Sequence, residues 1–94
     1  MHTMVVRMSI DPPRIEEVAR HLREDIVGWA KSQPGFLSGQ WLRSDDGSDG
    51  MGVVVFESGD AAEAAAKGPR NFPRDEARAW NIESVIVYEQ LTSA

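Results

Sequence analysis

The chain contains no cysteine, two histidines and one tyrosine. Without cysteine there is no disulfide, no thiolate nucleophile and no cysteine-ligated metal. The histidines are His2, at the chain terminus, and His21, far from it in sequence. So placed, they give no metal-ligand spacing, and no metal site is expected. No apolar run approaches the roughly 18 residues that a membrane-spanning helix requires. Positive charge is also scarce, with 10 Lys and Arg against 15 Asp and Glu, a net charge of −5. Nucleic acids and anionic membranes are bound through basic surfaces that displace counterions, so neither is an expected partner. The opening "MHTMVVRMS" lacks the long apolar segment and small-residue cleavage site of a secretory signal, and a cytoplasmic protein is expected.

What is present is a globular composition, with 41% hydrophobic residues in 94, enough for one small domain. Residues 3–10, "TMVVRMSI", read as a strand rich in branched and long apolar side chains. "DPP" interrupts it, with Asp11 placed to cap a helix. From Arg14 the period becomes helical: Ile15, Val18, Ala19, Leu22, Ile26, Trp29 and Ala30 form one stripe. His21 falls roughly 120° from its centre, a solvent position. The helix is predicted to stop near Gln33, because Pro34 disfavours helical geometry in the residue before it. Gly35 then permits a sharp change of direction, and residues 36–44 alternate as a strand.

"DDGSDG" is read as a hairpin turn into a third strand over residues 51–58. As a calcium loop counted from Asp45 it would need a glutamate where Phe56 stands. "GDAAEAAAKG" (59–68) is a short alanine-rich helix, residues 68–81 are irregular or weakly helical, and 81–91 form the last strand.

The order is β-α-β-β-α-β, the ferredoxin-like split β-α-β arrangement. It is an α+β fold with an antiparallel four-stranded sheet and both helices on one face. The strands are more apolar than a solvated face requires. Val53, Val54 and Val55 stand in a row, so the second face calls for a partner subunit.

The residues "WAKSQPGFLSGQWLR" (29–43), "GVVVFESGDAAEAAA" (52–66) and "VIVYE" (85–89) resemble the antibiotic biosynthesis monooxygenase-like family of dimeric α+β barrels over nearly the whole chain. The resemblance implies a homodimer whose sheets close against each other, and a pocket in each subunit between sheet and helices. The family includes cofactor-free oxygenases of aromatic polyketides, haem-degrading oxygenases and members without an assigned activity. The haem-degrading branch uses a first-strand asparagine, a tryptophan in the region of the second helix and an iron-binding histidine. Here the first strand carries Arg7 and no asparagine, the second helix is built of alanines, and no histidine follows it. The expected cofactor is therefore none.

The aromatic residues supply the candidate binding site for a small apolar or aromatic ligand. Trp41 reads equally as core or interface and as pocket wall. Tyr88 reads as a surface strand tyrosine or as a pocket phenol. Trp29 reads as core, with a pocket wall as the other possibility. "GPRNFPRDEARAWN" (68–81) combines Phe72 and Trp80 with Arg70, Arg74 and Arg78 at four-residue spacing. Loops bearing large apolar residues often cover pockets, and arginine suits a phenolate or carboxylate. Against this, Glu63, Asp75 and Glu76 could neutralise the stripe as ordinary surface pairs. The candidates are Trp41, Phe72, Arg78, Trp80, Asn81 and Tyr88, with no catalytic residue assigned. As an enzyme the protein would be a cofactor-independent monooxygenase. The alternative is a non-catalytic ligand-binding or stress-associated barrel.

Overall fold

Burial alternates along the first strand, β1 (His2–Ile10), and this gives the sheet its two sides. Met4, Val6, Met8 and Ile10 are buried, while Thr3, Val5, Arg7 and Ser9 lie opposite. The computed structural model describes residues 1–94. After β1 come helix α1 (residues 15–32), β2 (Phe36–Arg43), β3 (Asp49–Phe56), α2 (Gly59–Arg70) and β4 (Trp80–Glu89). The sheet order is β2-β3-β1-β4 with every pair antiparallel. This is the ferredoxin-like α+β arrangement expected of the pattern. No helix is long and apolar enough to cross a membrane.

Helix α1 runs in three contiguous pieces: Ile15–His21, a π-helical turn Leu22–Ile26, and Val27–Ser32. Asp11 does not cap it. Pro12–Arg14 form a 3-10 turn, and the Arg14 N–H donates to the Asp11 carbonyl at 2.9 Å. Pro12 and Pro13 have no N–H for a side-chain cap to satisfy. The stop is as expected. Gln33 is extended at ψ 132°, and Gly35 turns the chain at φ 82°. A Cβ at Gly35 would also come within 2.7 Å of the Ala61 Cβ.

Helix α2 starts at Ser58, whose hydroxyl accepts the Ala61 N–H at 3.1 Å. Its buried Ala62, Ala65 and Ala66 allow close approach to the sheet. The β2–β3 connection is a turn organised by Asp46. Its carboxylate accepts the Ser48 N–H at 2.9 Å, and the hydroxyls of Ser44 and Ser48 at 2.8 Å each. These bonds, the backbone one foremost, lower its pKa to about 2.

A bulge in β4 determines where its side chains point. Arg7 pairs with Ser84 and Met8 with Ile82, leaving Glu83 as the extra residue. Val87 and Val85 pair with buried Met4 and Val6 on the helix side. Beyond the bulge, Ile82 and Trp80 pair with Met8 and Ile10 on that same side. The outer side carries Val5 paired with Val53 and Ile86, and Thr3 paired with Val55 and Tyr88. Leu42, Ile86 and Tyr88 are about half exposed there. The chain itself covers only the helix side.

Candidate functional site

Between sheet and helices lies a cavity of about 330 Å³. Its floor is Met4, Val6 and Met8 of β1, Gly52 and Val54 of β3, Trp41 of β2, and Trp80 and Ile82 of β4. Its roof is one flank of α1, from Val18 to Trp29, together with Gly68 and Pro69 of α2 and Phe72 beyond it. Trp41 fits because its neighbours have no side chain. A Cβ at Gly52 would meet the indole at 3.1 Å, and one at Gly39 would meet it at 3.0 Å. The indole therefore lies close over the strand backbone as a flat wall.

Only two lining residues are ionisable, His21 and Asp25. His21 Nδ1 stands 2.9 Å from Asp25 Oδ2, and the imidazole packs on Trp80 with ring centroids 5.3 Å apart. His21 is thus at the cavity and not on a purely solvent face. The π turn explains the discrepancy. It rotates less per residue than an α-helix, so residues 21, 25 and 29 come closer to one line than a regular wheel allows. The pattern His-x-x-x-Asp, four residues apart on a helix, was the available signal for this pair.

The connection between α2 and β4 brings Phe72 to the cavity beside Trp80 of β4 and forms no basic stripe. Arg70 ends helix α2 and residues 71–79 are not helical, so Arg74 and Arg78 do not continue its line. Arg70 pairs with Glu63 at 2.7 Å, and Arg74 pairs with Glu76 and Glu83 at 2.6 and 3.2 Å. Phe72 and Trp80 stack at 5.6 Å with an 8° interplanar angle. The Arg78 guanidinium lies 4.8 and 4.7 Å from their ring centres.

Arg78 also donates to the carbonyls of Trp80 and Pro73 and to Asn81 Oδ1, each at 2.9 Å. Asn81 is buried, and its amide both accepts from and donates to the Asp75 backbone at 3.0 Å. Asn81 therefore fastens the connection and is not among the cavity residues. Tyr88 lies on the outer face of the sheet, away from the cavity. Trp41, Phe72 and Trp80 line the cavity. Arg78 lies in an adjoining polar groove with Arg14, Glu17, Arg20 and Glu24, which shares His21, Asp25 and Trp80 with it.

The sequence model of the antibiotic biosynthesis monooxygenase family matches residues 1–70. No curated protein matches the chain significantly. Among solved structures, the heme-degrader MhuD of Mycobacterium tuberculosis, with two hemes bound in its active site, superposes at TM-score 0.75 and 20% identity. The match covers 100% of this chain and 99% of MhuD. The monooxygenase from the gene ActVA-Orf6 of Streptomyces coelicolor, in complex with the ligand nanaomycin D, gives 0.68 and 18%, covering 99% and 89%. SnoaB, a cofactor-independent oxygenase from Streptomyces nogalater, gives 0.64 and 22%, covering 98% and 94%. At these identities the likeness is one of fold. For haem, the connection between α2 and β4 contributes Phe72 to the cavity and no histidine. The one cavity histidine comes from α1 and has the Asp25 carboxylate 2.9 Å from its Nδ1.

Proposed function

Because the chain belongs to the antibiotic biosynthesis monooxygenase family, we propose that it is a homodimeric binding protein for a small aromatic or polyketide-like molecule. We propose further that it oxidises that molecule without a bound cofactor. The observation that carries this reading is the cavity of about 330 Å³ walled by Trp29, Trp41 and Trp80. Its size is at the lower end for small-molecule sites, and flat aromatic walls suit a planar ligand. In this chemistry an electron-rich substrate anion is itself the reductant of dioxygen. The protein holds it, keeps water out and stabilises its charge. Haem chemistry is not part of the proposal, because the cavity residues do not reproduce the donor set of the haem-degrading branch.

The outer sheet face supports the dimer. One chain exposes 5924 Å², against about 5,400 Å² for a folded monomer of this mass. A stable interface would cover roughly 800 Å² per partner. Leu42, Ile86 and Tyr88 are among the open apolar side chains of the sheet, on the face a second sheet would cover.

The test is an electron-rich phenol titrated against tryptophan fluorescence, with oxygen uptake followed in the presence of a chelator and without flavin. Saturable quenching with oxygen consumption supports the oxygenase. Quenching without uptake across a broad panel of phenols supports the second reading, a ligand carrier, which the nearly all-apolar lining favours. Absence of quenching overturns both.

A further inference from the structure

We propose that His21 is the proton acceptor of this cavity, positioned by Asp25, and that its ligand is a phenol or enol bound as the conjugate base. The inference rests on the aromatic-ligand reading above and adds the group that would make the anion.

The Asp25 carboxylate lies 2.9 Å from Nδ1 as an ion-pair contact, and the neutral ring that carries its proton on that side presents the lone pair on Nε2. Nε2 has no hydrogen-bond partner within the protein. An exposed histidine–aspartate pair on a helix is ordinarily a weak surface contact. This one differs in place, since both residues line a cavity whose other side chains are apolar, and the imidazole packs on the buried Trp80. A phenolate in such surroundings is costly unless a positive charge accompanies it. Transfer supplies that charge. The phenol O–H bond breaks, an N–H bond forms at Nε2, and the bonding electron pair stays on oxygen. The imidazolium then has the phenolate on one side and Asp25 on the other.

The remaining charges near the ring are Glu17, Arg20 and Glu24 on α1, Arg14 on the 3-10 turn, and Arg78 on the connection to β4. These are three cations and two anions besides Asp25. Their signs largely offset, and Asp25 is the charge in direct contact with the ring.

The probe is para-nitrophenol, whose phenolate is coloured. Its binding is read by tryptophan quenching, and its ionisation when bound is read by absorbance against pH. Wild-type protein should ionise the bound probe at a pH about one unit or more below that of free probe. His21→Gln should bind it and move the transition above that of free probe, because the apolar walls then act alone. Asp25→Asn should fall between the two, which a purely structural role for Asp25 would not produce. Circular dichroism checks that each variant is folded, and Asp25, largely exposed, gives a second test should His21→Gln fold poorly. Bound probe ionising alike in wild type and His21→Gln overturns the proton-acceptor assignment and leaves the binding reading intact. Absence of wild-type quenching overturns both.

Discussion

Replacing Ile86 by aspartate separates the stability of one chain from the stability of an assembly. Ile86 is 45% exposed on the outer sheet face, opposite Val5. Full burial of such a side chain contributes about 1.5–3 kcal/mol, so a lone chain loses about 1 kcal/mol when it is replaced. If two sheets close on each other about a two-fold axis, the same substitution places two unpaired carboxylates in the interface. At a floor of about 2 kcal/mol each, the pair raises the dimer dissociation constant roughly a thousandfold. Sedimentation equilibrium across a concentration series reads this directly. The expected result is a wild-type dimer at micromolar concentration and an Ile86→Asp monomer that still melts cooperatively. Ala64→Asp, on the exposed side of α2, adds the same charge away from the sheet and should leave the dimer intact. Wild-type association by Ile86→Asp, or a monomeric wild type, would refute assembly through this face.

Three further outcomes are expected. Val6→Phe grows into the cavity floor, so the melting temperature should hold or rise while phenol binding falls at least tenfold. A loss of about 1–3 kcal/mol with binding retained would mean the space is packed. Asn81→Ala removes an amide that makes three hydrogen bonds to Asp75 and Arg78. It should cost about 2–3 kcal/mol and speed proteolysis between residues 71 and 79, and unchanged cleavage there would deny Asn81 its fastening role. Asp46 has its pKa lowered from 3.8 to about 2 by the turn. Its contribution to stability is therefore present above the unfolded value and lost as pH falls through the folded one. Acid unfolding of Asp46→Ala should lack that part of the slope, and a profile parallel to wild type would contradict it.

The order of elements was legible because each carries its own signal: apolar runs in β1 and β3, alternation in β2, a helical stripe in α1, and breakers at Pro34 and Gly35. The aromatic wall was legible in part. Trp41, Phe72 and Trp80 are large apolar residues at a strand centre and in or beside a connection, although Trp41 read equally as core or interface. Tyr88 and Asn81 fall outside the cavity for a different reason. Which side a strand residue takes depends on register, and the extra Glu83 shifts the alternation of β4 at a point that nothing local marks. Asn81 looked like a ligand-binding group because its partners, Asp75 and Arg78, meet it only once the connection folds back. His21 was hidden by the assumption of a uniform helix.

That π turn has a further consequence. Removing one residue from Leu22–Ile26 would restore a regular α-helix and rotate everything before it by roughly 100° relative to Trp29. His21 would leave the cavity while every side chain in the molecule kept its chemistry. The arrangement of this site therefore hangs on the length of the chain across five residues. A relative differing there by a single insertion or deletion could share most of the wall and still present its ligand with a different face.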